Sequence, residues 1–366
     1  MIVVFAPDSF KGTIGAADAA AALADGWRRA RPDDDITLLP MADGGEGTLA
    51  SFAAAVPGAE RIAVRVIAPD DAEIDSAWLR LPPTAEAPAG TAIVELGATS
   101  GIELLGELRP LTAHTYGLGQ AISAALAAGV SRVVVGLGSS ASTDGGTGML
   151  RALGARFLDA DGSDVPLGGA GLGDITRVDL SGLAPLPPGG VEALTDVTNA
   201  LLGARGAAAV FGPQKGAAPA EVAELDAGLA ALATLLPADP STPGAGAAGG
   251  TGFGLLAWGA TLEPGAGAVA QLIGLPRAAA AASVVVTGEG SFDGQSAAGK
   301  VPSHVASLVG DARVALVAGR ITADADTSAF AASVSLTDLA GTPERAMAEP
   351  ARWLRDAGER FARELG

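Results

Sequence analysis

The chain has 366 residues, 52 of them glycine, with no cysteine and a formal net charge of -18. Its length exceeds what one hydrophobic core usually fills, so two domains are expected, with cores built from Ala, Val, Leu and Ile because aromatics are few. Disulfides, thiolate zinc sites and a cysteine nucleophile are excluded, and the acidic balance argues against nucleic acid and anionic membranes as partners.

No apolar run approaches the roughly 18 to 20 residues of a membrane span, and no charged-then-apolar leader follows Met1, so the cytoplasm is the expected compartment.

In chain order, Ile2 to Phe5 reads as a buried strand and Ala16 to Ala30 as an Ala-rich helix, with Pro7 to Gly12 between them. Ile36 to Leu39 is a second strand, followed by the loop Ala42 to Thr48 and another helix. This alternation predicts a parallel sheet whose ligands sit at the carboxyl ends of the strands. From about Arg61 the pattern becomes polar-apolar alternation, Ile62 to Ile67 and Ile74 to Leu81, which predicts a hairpin around Ala68-Pro69-Asp70-Asp71. Next come a strand at Ala92 to Leu96, a helix around Leu118 to Ala128, a strand at Val133 to Val135, and a long Gly/Pro-rich section. Buried-strand patterning returns at Val284 to Val286, Val314 to Val317 and Val334 to Leu336. The expectation is therefore two different α/β domains. One, residues 1–60 plus 281–366, carries a mostly parallel, Rossmann- or flavodoxin-like sheet; the other, residues 61–280, is an inserted α/β domain with mixed strands, and the active site is expected in the cleft between them.

Arginine serves almost everywhere as the basic residue, and the three lysines, Lys11, Lys215 and Lys300, each have a glycine neighbour. Bare glycine backbone beside a compact ammonium suits phosphate oxygens. The same neighbourhood arises by chance in a glycine-rich chain. Asn199, the sole asparagine, stands in Thr195 to Asn199, where a turn or cap is the alternative to a binding role.

Two motifs mislead. Gly136-Leu137-Gly138-Ser139-Ser140-Ala141 after an apolar strand, with Asp159 further on, fits a dinucleotide fingerprint. The helix that should start at those glycines is instead preceded by Thr143 to Gly148, rich in helix breakers. Gly294 to Lys300 matches G-x-x-x-x-G-K, but Val301 stands where a Ser or Thr should hold magnesium and the loop lies too far from its strand.

What remains is a set of glycine-rich loops: Asp8 to Gly12, Asp43 to Thr48, Gly138 to Gly148, Asp196 to Asn199, Phe211 to Gly216 and Thr287 to Lys300. Together they supply carboxylates (Asp8, Asp43, Glu46, Asp144, Asp196, Glu289, Asp293), hydroxyls (Ser9, Ser140, Ser142, Ser296) and every lysine. Those are the parts of magnesium-dependent phosphoryl transfer.

In order, Ala6-Pro7-Asp8-Ser9-Phe10-Lys11-Gly12, Ala42 to Thr48, Phe211 to Gly216, Gly244 to Gly250, and Thr287-Gly288-Glu289-Gly290 with Asp293, Gln295-Ser296 and Gly299-Lys300 resemble the bacterial-type (type 1) glycerate kinases. The resemblance runs over essentially the whole chain. It implies ATP-dependent phosphorylation of D-glycerate, usually at the C2 hydroxyl, with ATP and Mg2+ as cofactors and a monomer or homodimer as the working form. On that reading Lys11, Lys300, Asp196 and Asp293 are expected to be catalytic, and Asp196 and Asp293 to hold the metal. Asp8, Ser9, Asp43, Gly44, Gly45, Ser140, Asp144, Asn199, Lys215, Glu289 and Ser296 are expected to bind glycerate or nucleotide. Asp196 is favoured as the group that orients the attacking hydroxyl. Two departures stand out: Ser139 occupies a position where the family commonly has glycine, and Ala200 one where proline is usual.

Overall fold

The structure, a computed structural model, describes residues 1–294 and 301–366. The described residues form thirteen strands: β1 (Ile2–Pro7), β2 (Asp35–Leu38), β3 (Glu60–Ile67), β4 (Glu73–Leu81), β5 (Thr91–Glu95), β6 (Arg132–Gly136), β7 (Arg156–Leu158), β8 (Arg177–Asp179), β9 (Val191–Leu194), β10 (Thr261–Glu263), β11 (Val284–Phe292), β12 (Arg313–Ile321) and β13 (Ala332–Ser335). They divide between two compact units, one of Met1–Asp43, Ala50–Pro57 and Gly265–Gly366, the other of Gly44–Leu49 and Gly58–Pro264.

The first unit is built on a five-stranded sheet ordered β13-β12-β11-β1-β2, parallel throughout. Its strands read as near-continuous apolar runs because helices cover the sheet. Val3, Phe5, Val284, Val286, Ala315 and Val317 pack with Leu23 and Trp27 of the helix Ala16–Ala30 and with Leu354 and Phe361 of the helix Pro350–Leu365. Those two helices touch backbone to backbone at two glycines. A Cβ on Gly26 would fall 1.9 Å from the Arg355 carbonyl oxygen, and one on Gly358 2.1 Å from that of Leu23. The chain rejoins this unit at Gly265, ahead of the helices Gly265–Leu272 and Leu275–Ala281. There Gly265 lies so close to Asp43 that a Cβ would come within 1.8 Å of its carbonyl oxygen.

The second unit has a mixed six-stranded sheet, β10-β9-β6-β5-β4-β3. The first four strands are parallel, and β4 and β3 add the expected antiparallel hairpin. Its core includes Val94, Val133, Val135, Leu118, Ile122, Phe157 and Phe253. The two units are thus different α/β folds, one mostly parallel and the other mixed.

One local expectation changes. Thr287 to Phe292, read as loop, continues β11, which pairs with β12 out to Phe292↔Ile321. Gly288 permits this, since a Cβ there would sit 2.2 Å from the Val317 carbonyl oxygen; glycine marks close strand approach here and not a turn. The segment around Gly244 to Gly250 opens the helix Ala247–Trp258 with a left-handed turn, Ala248 at φ 52°, Gly249 at φ 67° and Gly250 at φ 88°.

Candidate functional site

In each unit the polar loops leave the carboxyl ends of parallel strands, where open α/β sheets place their ligands. In the first unit the loop after β1 begins with Asp8, whose N-H donates to the Gly288 carbonyl at 2.8 Å and whose Oδ1 accepts from Ser9 N-H at 2.7 Å. Burial pushes the Asp8 carboxyl up to about 7. Asp43 and Glu289 push the same way, while the Ser9 N-H and the Lys11 ammonium oppose them. Lys11 is exposed, and Gly12 turns the chain at φ 74°. Burial and the neighbouring carboxylates thus favour the protonated form of Asp8, the effect that a cation arriving beside it would oppose. Among the described residues no three His, Asp or Glu side chains converge closely enough to form a ready-made metal site. Asp293 follows β11 directly, and Ser296 and Lys300 lie outside the described residues.

In the second unit the loop after β6 folds around Asp144. This carboxylate is fully buried. Its Oδ2 accepts from Thr115 N-H at 2.9 Å, Thr115 Oγ1 at 2.7 Å and Gly148 N-H at 3.2 Å; its Oδ1 accepts from Ser142 Oγ and Gly146 N-H, both at 3.2 Å. Five donors leave a charged oxygen pair well compensated, so Asp144 serves as the hub of the loop.

Lys215 follows the helix Ala207–Phe211 through a 3-10 turn, Pro213–Lys215, and Gly216 closes it at φ 94°. Its side chain runs inward and is only 2% exposed. The ammonium donates to the Ser142 carbonyl and, at 3.4 Å, to Ser140 Oγ. Burial pulls its pKa down to about 7, against the pull of Asp144. Ser140 Oγ also meets the carbonyl of Ala248 at 3.3 Å, so Lys215, the β6 loop and the left-handed turn meet at Ser140. A Cβ on Gly249 would lie 2.0 Å from the Ser142 carbonyl oxygen, which is why the turn is glycine there. Ser139 holds a left-handed backbone at φ 60°.

Sequence reasoning missed two residues here, Thr115 and Glu95. Thr115 and its neighbour His114 open the helix Tyr116–Ala127, and His114 Nε2 lies 3.2 Å from Asp71 Oδ1, while Tyr116 N-H donates to its Nδ1. Glu95 ends β5 as a buried carboxylate accepting from Gly47 N-H at 3.1 Å and Leu49 N-H at 2.9 Å. Burial pushes its pKa up, the two N-H bonds pull it down, and Glu46 and Arg61 act in opposite senses. A buried acid at the end of an apolar strand was the available signal.

Asp196 is exposed, two residues beyond β9, beside Thr195, whose N-H bonds the Glu263 carbonyl. Asn199 donates from Nδ2 to the Arg205 carbonyl at 2.7 Å and its own carbonyl accepts from Gly246 N-H, so it closes a loop. Gly44 and Gly45 lie against the end of β6: Gly138 N-H donates to the Gly44 carbonyl at 3.0 Å, and a Cβ on Gly138 would fall 2.2 Å from Gly45 Cα. The helix after the β6 loop, Thr147–Ala152, is short, as the dinucleotide reading could not accommodate.

The family model for the glycerate kinase family matches residues 3–366. The chain is 39% identical over 317 residues to a glycerate 2-kinase of Escherichia coli K12, covering 84% of this chain and 82% of the relative. It is 41% identical over 315 residues to a glycerate kinase of Haemophilus influenzae, again covering 84% and 82%. A crystal structure from Salmonella typhimurium LT2, of a protein assigned as glycerate kinase 2, superposes with a TM-score of 0.84 at 35% identity, over 100% of this chain and 98% of that one. No helix among the described residues is long and apolar enough to cross a membrane.

Proposed function

This chain belongs to the glycerate kinase family and is a phosphotransferase, and we propose that it transfers the γ-phosphoryl group of ATP to the C2 hydroxyl of D-glycerate, giving 2-phosphoglycerate. The observation that carries the choice of carbon is the 39% identity to the Escherichia coli glycerate 2-kinase. The chemistry of the polar loops is consistent with it. Phosphoryl transfer asks a protein mainly for positioning and charge, and the loops after the parallel strands offer carboxylates, a few cations and bare glycine backbone.

In this proposal Lys11, exposed beside Asp8, and Lys300 neutralise phosphoryl oxygens. Magnesium would arrive with the nucleotide, with Asp196 and Asp293 as its candidate ligands, and Asp8, whose pKa burial and the neighbouring Asp43 and Glu289 raise, lies in an environment that a cation would favour. The metal would neutralise charge on the transferring phosphate. Asp8, held near neutrality, joins Asp196 as a candidate for taking up the hydroxyl proton, because a group with a pKa near the working pH serves best. Gly44, Gly45 and the Ser140 loop frame glycerate.

The test is ADP release by the purified protein with ATP, magnesium and D-glycerate, followed by conversion of the product with enolase alone. Enolase accepts 2-phosphoglycerate directly, whereas a 3-phosphoglycerate product would need a mutase first. ADP release that depends on glycerate, with a product inert to enolase alone, would remove C2 and keep the kinase. ADP release only with another hydroxy acid would remove glycerate.

A further inference from the structure

We infer that Glu95 is a positioning residue that shapes the Gly44–Leu49 segment for glycerate from inside the fold, an inference resting on the substrate proposed above. The segment is fixed at both ends. Gly138 N-H holds the Gly44 carbonyl at 3.0 Å, and Glu95 takes Gly47 N-H with one oxygen and Leu49 N-H with the other. Between them Thr48 folds back, its Oγ1 donating to the Gly45 carbonyl at 2.7 Å, and Gly44 and Gly47 supply left-handed turns at φ 89° and φ 88°. Glycine-rich turns running into a helix usually leave N-H groups free for an external anion. At the start of the helix Thr48–Ala55 two of those groups are already spent on an internal carboxylate that is 5% exposed. Its negative charge beneath the loop disfavours a phosphate dianion there, and with the Gly44 carbonyl held by Gly138 N-H and the Gly45 carbonyl by Thr48 Oγ1 the shape of the segment is set from inside the fold. A buried carboxylate costs stability unless it is well paired; two N-H bonds set the loop in return.

The experiment uses the full-length protein with Glu95→Gln, which keeps the shape and loses the charge and one acceptor, and Glu95→Ala as the deeper cut. Hydrogen exchange is measured at residues 44–49, and kinetics for both substrates. The expected result is faster exchange confined to that segment and a fall in kcat/KM for glycerate of about tenfold or more, with KM for ATP within about threefold. Rescue of exchange and kinetics toward wild type by Glu95→Asp, which retains a carboxylate, would support the role. Unchanged exchange in Glu95→Gln overturns the inference whatever the wild type phosphorylates. So does a glycerate kcat/KM within about threefold of wild type, or an equal loss toward ATP, which would mark general distortion. Wild-type protein that releases no ADP with glycerate would instead sink the proposed function, and the exchange measurement would still decide whether Glu95 holds the loop.

Discussion

Replacing Lys215 by Met removes a buried charge while keeping an unbranched side chain of similar reach. In the folded protein burial lowers the lysine from its ordinary value of 10.5 to about 7. The unfolded chain thus holds this proton up to about pH 10 while the native state releases it near pH 7. The unfolded state binds more protons throughout that window, so stability rises with pH across it. Integrating at most 1.36 kcal/mol per pH unit gives a gain of roughly 3 kcal/mol between about pH 7 and pH 10 from this one group. Lys215→Met lacks that gain but leaves the Ser142 carbonyl and Ser140 Oγ without their donor, at about 1 to 3 kcal/mol for a buried polar group left unpaired. The variant should therefore lie close to wild type near pH 7 and fall behind it by about 3 kcal/mol near pH 10. Urea unfolding followed by tryptophan fluorescence reads this directly, since Trp78 and Trp258 are buried in the same unit. With three lysines in the chain, NMR of labelled side chains can also titrate the group itself. A gap between variant and wild type that does not change with pH would refute the reasoning, as would a Lys215 signal titrating near 10.

Three other outcomes follow from single observations. Gly358→Ala puts a Cβ 2.1 Å from the Leu23 carbonyl oxygen, and since backbone cannot yield as a side chain tip does, a loss of about 3 kcal/mol is expected in thermal or urea unfolding. Ser139→Gly relieves a left-handed non-glycine residue at φ 60° and should raise stability by about 0.5 to 1 kcal/mol, read as a higher urea midpoint; a lower midpoint would show that the serine is held by more than its backbone. Asp8 carries a folded-state pKa of about 7 against an ordinary 3.8, so the native state binds more protons between those values and its contribution to stability is lost as pH rises from about 4 to 7. Asp8→Asn should remove that slope, gaining on wild type by about 1 to 3 kcal/mol between pH 5 and pH 8, while lowering turnover.

Periodicity made most of the fold readable. Apolar runs such as Val284-Val285-Val286 and Val314 to Val317 read as strands covered on both faces, and the alternation in Ile62 to Ile67 and Ile74 to Leu81 as a half-buried hairpin, and the structure forms both. Where the sequence is ambiguous, the cause is glycine. In Thr287-Gly288-Glu289-Gly290 it reads as a turn signal, yet Gly288 keeps a Cβ off the Val317 carbonyl and lets β11 run on to Phe292. In Gly244 to Gly250 it builds a left-handed turn that a helix absorbs. A residue without a side chain marks either a turn or a close approach, and only the partner strand or loop decides between them.

The site shows the same ambiguity in its charged residues. Lys11 and Lys215 carry the same sequence signal, a lysine beside a glycine, and their surroundings give them opposite characters. Lys11 leaves the end of β1 into solvent beside the Asp8 carboxyl, free to meet a ligand's charge. Lys215 turns inward, where its ammonium answers a carbonyl and a serine of its own fold. Asp144 and Asp8 divide likewise: five internal donors occupy the first, whereas the second has Ser9 N-H and the field of neighbouring carboxylates. Motif residues whose hydrogen-bonding capacity is consumed within the fold set the shape of a loop. Those left with uncompensated charge at a strand's carboxyl end are the ones positioned to act on a ligand, and by that criterion Asp8 and Lys11 outrank Asp144 and Lys215.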